Sequence, residues 1–199
     1  MSGARQFDED ALLDAVLAVF WRQGWQATTM AELAAAAGVQ RGSLYHAYGG
    51  KEALFLLAFD RYAERFIAEA RRALDAADAG QALQRFFQAA IRHMRAGEPA
   101  RGCLTTKTAA ELDAAGPAIQ ARLAALLETL RATLTQALAA PHLAAGLALP
   151  PGPAAELLVT FTRGLAVMER IEAKPARLRA SARAMTWLLL KDPGAAPAA

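Results

Sequence analysis

Between Thr29 and Lys51 the sequence gathers side chains able to grip an anionic or polar surface. The amide of Gln40 and the guanidinium of Arg41 can each make paired hydrogen bonds, and Ser43, Tyr45, His46 and Lys51 add hydroxyl, phenol, imidazole and ammonium donors within three helical turns. A second chemistry belongs to Cys103, the single cysteine. It follows Arg101-Gly102 at the start of a predicted helix, where positive potential lowers a thiol pKa and favours thiolate. Burial as a small apolar residue is the alternative reading of the same position. His46, His93 and His142 have no metal-ligand spacing with one another or with Cys103, so no metal site is expected. A phosphate-binding glycine loop, a nucleophile-base constellation and paired carboxylates are all missing. An enzyme is therefore not expected, and neither catalytic residues nor a cofactor are assigned.

The elements that must position these groups read as helices throughout. From Asp8 to Arg22 the apolar residues Leu12, Val16, Val19 and Phe20 recur near the helical period, acids occupy the start, and Gly24 ends the run. Thr29-Met30-Ala31-Glu32 has the form of a capping box opening a second helix to about Ala37. Gly38 offers a left-handed turn residue, and residues 40 to 46 form a third short helix with Val39 and Leu44 inward. That order is a helix-turn-helix. Lys51 begins a long helix to about Ala73. Further helices are expected at about 79 to 96, 103 to 113, 117 to 139, 153 to 172 and 175 to 190, with Pro near several starts and a loop over 140 to 153. The expected fold is all-α with about nine helices. It divides into a helix-turn-helix domain over 1 to 55, a helical domain over 56 to 192, and a flexible tail over 193 to 199.

With 199 residues, 55% of them hydrophobic and 21% charged, the chain can bury a substantial core and is rich in helix formers. The acidic N-terminus lacks the apolar run of a signal peptide and no stretch suits a membrane span, so a cytoplasmic protein without membrane contact is expected. The formal charge is +3, but residues 1 to 60 hold four basic residues against seven acidic ones. Gross charge therefore does not mark the N-terminal segment as a polyanion binder, and local geometry must carry that reading.

The stretch Thr28-Thr29-Met30-Ala31-Glu32-Leu33-Ala34, continuing through Ala37-Gly38-Val39-Gln40-Arg41-Gly42-Ser43-Leu44-Tyr45-His46 to Lys51-Glu52-Ala53-Leu54, resembles the DNA-binding domain of the TetR family of transcriptional regulators. The resemblance spans about residues 8 to 60. It departs at Ala47, where the family commonly carries the first of an aromatic pair and only Tyr48 follows the pattern.

On this resemblance the third helix is a recognition helix for the major groove of operator double-stranded DNA. Gln40 suits adenine, Arg41 suits guanine or phosphate, Ser43 lies beside them, and which of these reads bases stays open. Thr29, Tyr45, His46 and Lys51 are candidate phosphate contacts. Each has an ordinary alternative: Thr29 with Glu32 as a cap, Tyr45 and Tyr48 as core aromatics, Lys51 as a solvated lysine. The resemblance implies a homodimer through the last two helices, with candidates Leu157, Leu158, Phe161, Leu165, Met168, Leu178, Ala182, Met185 and Leu189. It also implies a C-terminal cavity for a small-molecule inducer that releases a repressor from its operator. Phe86, Phe87, His93, Met94, Cys103, Leu104, Phe161 and Met168 are the candidates, with Thr108 and Leu127 in the wider set. The alternative function is a repressor that senses electrophiles or oxidants through Cys103.

Overall fold

A computed structural model of the chain describes residues 8–97, 102–192 and Gly194. Eleven α-helices lie among them: α1 Glu9–Gln23, α2 Met30–Ala36, α3 Arg41–Tyr48, α4 Lys51–Leu74, α5 Ala79–Arg95, α6 Leu104–Ala109, α7 Leu112–Ala115, α8 Pro117–Leu138, α9 Pro141–Ala144, α10 Pro151–Glu172 and α11 Pro175–Leu188. The described residues form no strand, only an isolated bridge of Leu147 with Leu190. The all-α expectation holds, and the count of about nine rises for two local reasons. The single helix expected over 103 to 113 is interrupted at residues 110 and 111 into α6 and α7, at the point where the Glu111 carboxylate accepts the backbone N–H groups of Trp25 and Gln26. The expected loop over 140 to 153 holds α9, opened by Pro141, and α10 begins at Pro151 rather than Pro153. Most of the break at 97 to 99 and of the tail at 193 to 199 lies outside the described residues.

Two compact units result. One comprises the described residues of Met1–Glu64 together with Lys107–Leu123; the other comprises those of Arg65–Thr106 and Ala124–Ala199. This division differs from a boundary near residue 55: α4 contributes to both units, and a stretch from the middle of the chain joins the N-terminal one.

In the first unit Asp8 caps α1 through its carboxylate, and Thr29 and Glu32 complete the capping box at α2. Thr29 Oγ1 accepts the Glu32 N–H at 3.3 Å while Glu32 Oε2 accepts the Thr29 N–H at 2.8 Å. These backbone and side-chain hydrogen bonds from Thr29 hold the Glu32 carboxyl below its usual range. Gly38, at φ +66°, makes the turn between α2 and α3. The core is aromatic: Phe20 meets Phe55 edge-on at 5.0 Å and stacks with Trp25 at 6.0 Å, while Trp21 meets Tyr62 edge-on at 5.1 Å. Leu33, Leu44 and Leu54 are fully buried and seat α2, α3 and the start of α4 by apolar burial. In the second unit α5 packs against α9, α10 and α11.

Candidate nucleic-acid interface and effector region

The α2-turn-α3 segment offers one side of α3 outward. Leu44 and Tyr48 are its buried residues, and the Tyr48 hydroxyl donates to Glu9 Oε1 at 3.3 Å, tying the end of α3 to the start of α1. Gln40, Arg41, Gly42, Ser43, Tyr45 and His46 are all exposed. The Arg41 guanidinium lies 5.8 Å from the Tyr45 ring centroid, a cation–π contact on the open face. The fold thus brings five of the seven residues expected at a DNA surface into one short patch. The other two have work within the fold. Thr29 is exposed, but its hydroxyl serves the capping box. Lys51 Nζ donates to the carbonyl oxygens of Trp25 and Thr28, each at 3.0 Å, and lies 4.4 Å from the Trp25 ring centroid. Its ammonium therefore locks the α1–α2 connection, a duty its position at a helix start did not reveal.

The acids of α1 are held on another element: Arg61 of α4 pairs with Asp10 and, at 3.6 Å, with Asp14. Two residues unremarkable in sequence, Lys107 and Glu111, clamp the α1–α2 connection from the other side. Lys107 Nζ donates to the last carbonyls of α1, Trp21 at 2.6 Å and Arg22 at 2.9 Å, a cation at the negative end of a helix. Glu111 Oε2 accepts Trp25 N–H at 2.5 Å and Gln26 N–H at 3.3 Å, and the Trp25 indole donates to Ala114 O at 3.1 Å. Gly24 is favoured here by its φ of +88°, and a Cβ would stand 2.5 Å from a Glu111 carboxylate oxygen, which would then have to move. Nothing in the local pattern around Lys107 or Glu111 signals these duties, since their partners lie more than eighty positions away.

In the second unit Phe86, Phe87, Met94, Cys103 and Leu104 are buried, and Phe87 meets Phe161 edge-on at 5.7 Å. Met168 stands apart on the exposed side of α10, 42% accessible. The polar centre of this region is Arg163 of α10, which sequence reasoning overlooked. Its Nη1 donates toward Cys103 Sγ at 3.6 Å. Burial by itself would raise the Cys103 pKa, but the adjacent Arg163 charge, with the polar groups of Thr106 and Thr105 nearby, outweighs it and holds the thiol below its usual value. The same burial, with Arg163 next in weight, pushes His93 down to about 4, so that imidazole is neutral at physiological pH even with Glu69 Oε2 at 3.9 Å.

A family model for the DNA-binding part, bacterial regulatory proteins of the tetR family, matches residues 12–58, and one for the tetracyclin repressor-like C-terminal domain matches residues 79–185. The chain belongs to the TetR family of bacterial regulatory proteins. It is 35% identical over 99 residues, 49% of this chain and 47% of the relative, to the HTH-type transcriptional repressor ComR of Escherichia coli strain K12; the match spans about half of that relative's length. Among solved structures, the reduced form of E. coli NemR superposes with a TM-score of 0.81 at 21% identity, covering 96% of this chain and 98% of that one, a likeness of fold. A cysteine mutant of the TetR family regulator CifR, complexed with 26bp double-strand operator DNA, superposes with a TM-score of 0.78 at 26% identity over 92% and 97% of the two chains. No described helix is long and apolar enough to cross a membrane.

Proposed function

We propose that this protein is a cytoplasmic repressor that holds operator DNA as a homodimer and lets go when its helical C-terminal unit takes up a small molecule. The observation that carries the reading is the open face of α3, where Gln40, Arg41, Ser43, Tyr45 and His46 stand exposed on a helix anchored by Leu44 and Tyr48. A single helix of this kind contacts too few bases for useful affinity, hence the dimer on a near-palindromic operator. The last two helices are the surface for it. Leu157, Val167, Met168 and Ile171 of α10 and Leu188 of α11 are exposed large apolar side chains, with Phe161 and Met185 half-buried beside them. Leu158, Leu165, Leu178, Ala182 and Leu189, expected at the same interface, are buried within the subunit.

Inducer binding would act among Phe86, Phe87, His93, Met94, Cys103, Leu104 and Phe161. Helix α6 begins beside Cys103 and carries Lys107, so a shift of α6 would disturb the Lys107 hydrogen bonds to the Trp21 and Arg22 carbonyls. A release of 10-fold to 1,000-fold needs about 1.4 to 4 kcal/mol of differential binding. The thiol-sensing version is favoured by one specific observation, the Arg163 guanidinium beside Cys103. In it the Cys103 thiolate adds to the β-carbon of an α,β-unsaturated carbonyl. A C–S bond forms, the π pair passes to the carbonyl oxygen, and water returns a proton to the α-carbon.

The test is fluorescence anisotropy on the intergenic DNA beside the gene, at fixed salt with excess nonspecific competitor, comparing wild type with Arg41→Ala. Tight binding that falls by about 10- to 100-fold in the variant supports the reading, while equal binding by both removes α3 from recognition. Cys103→Ser separates the two forms of induction. Thiol sensing requires that it retain operator affinity and lose the response to N-ethylmaleimide; a response that survives the substitution leaves small-molecule induction alone.

A further inference from the structure

A groove runs between α5 and α11 on the second unit, with a volume of about 330 Å³. Its walls are two facing helical stripes, Gly80 to Ile91 on α5 and Arg179 to Trp187 on α11, with Leu190 at one end. From Gly80 to Ile91 the helix rises about 16 Å over eleven steps, so the groove is a slot rather than a bowl. The floor is apolar, made by Phe87, Ile91, Ala182, Trp187 and Leu190. The rim carries Gln84, Gln88 and Thr186, which donate and accept, and two cations one helical turn apart, Arg179 and Arg183.

Arg61, Arg122, Arg131 and Arg177 each pair with a carboxylate, whereas Arg179 and Arg183 make no ion pair or hydrogen bond among the described residues. The lining contains no acid, and Asp78, the acid nearest the Gly80 end, is engaged in capping α5 through Gln81 N–H at 2.8 Å. An apolar slot edged by two uncompensated guanidinium groups selects an occupant with an apolar body and an anionic head, since guanidinium binds carboxylate-type oxygens in paired fashion. The volume falls at the lower end of small-molecule sites, about 300 Å³ upward. We propose that the α5–α11 groove is a binding site for a slender amphiphile with a carboxylate-type head, the head held by Arg179 and Arg183 and the body lying over Phe87, Ile91 and Trp187.

The proposal does not depend on operator binding, and its test needs no DNA. Full-length protein is titrated with decanoate by calorimetry and by the fluorescence of Trp187, whose indole N–H donates to the Gly194 carbonyl at 3.3 Å and whose emission is isolated by subtracting a Trp187→Phe variant. Saturable binding below about 1 mM is expected for a ligand of this size. The double variant Arg179→Gln/Arg183→Gln should weaken it by about tenfold or more. Both positions are exposed on α11, so far-UV circular dichroism should not change. Gln84→Phe, which fills the slot and keeps both arginines, should weaken binding too, and decyltrimethylammonium, equal in length but cationic, should bind more weakly than decanoate. Decanoate binding that ignores both variants, or a preference for the cation, overturns the proposal. So does an absence of saturable binding; if the double variant then also changes the oligomeric state, the groove belongs to a second copy of the chain.

Discussion

Removing the Glu111 carboxylate should loosen the DNA-binding unit although Glu111 lies far from α3 in sequence. Its Oε2 accepts two backbone N–H groups, from Trp25 at 2.5 Å and Gln26 at 3.3 Å. The first is short and its donor belongs to a buried residue; the second is longer and exposed. A hydrogen bond to a charged group contributes about 1.5 to 3 kcal/mol, and an exposed, stretched one adds about 0.5 kcal/mol or less. Glu111→Ala should therefore cost about 2 to 3 kcal/mol, and Glu111→Gln, which keeps an acceptor without its charge, about half of that. Guanidinium unfolding followed by tryptophan fluorescence is the assay, because Trp21 and Trp25 both lie in this unit. The midpoint should fall while the slope is kept. Operator affinity should drop alongside, since the clamp fixes the connection from which α2 and α3 start. Losses below about 0.5 kcal/mol in both variants would refute the clamp, because a solvated glutamate costs that little to remove.

Lys51→Met should destabilise the first unit by about 1 to 2 kcal/mol yet leave the salt dependence of operator binding unchanged; a salt slope reduced by about one would make Lys51 a phosphate contact after all. His93 is neutral in the folded chain, with its pKa at about 4 against 6.5, so folding favours the unprotonated form. That contribution is complete above about pH 6.5 and is lost as pH falls toward 4, by about 3 kcal/mol at most, and His93→Gln should flatten stability measured across that window. Arg163→Met should raise the Cys103 pKa, seen as a shift of the iodoacetamide alkylation profile to higher pH; an unmoved profile would mean the guanidinium does not govern the thiol.

The helix-turn-helix was legible because its signals are local. A capping box, a left-handed glycine and an alternation of buried and exposed residues within one turn each act over three or four positions, and Thr29, Gly38 and Leu44 stand where that grammar puts them. The open face of α3 follows from the same periodicity, which is why Gln40, Arg41, Ser43, Tyr45 and His46 could be named in advance. Helical starts at Pro117 and Pro175 follow from proline's missing N–H in the same way.

What only the tertiary structure decided is how charged groups spend their valence. The ammonium of Lys51 goes to backbone carbonyls, Thr29's hydroxyl to its own cap, and Asp10 and Asp14 to Arg61. Between α6 and α7 a carboxylate at residue 111 meets amides at 25 and 26, and the Cys103 thiol is held below its usual pKa because α10 delivers Arg163 to it. Apolar periodicity records which side of a helix is buried. It carries no information about which distant polar atom lies within hydrogen-bonding range, because a hydrogen bond requires placement within about 3 Å that only the closed fold supplies.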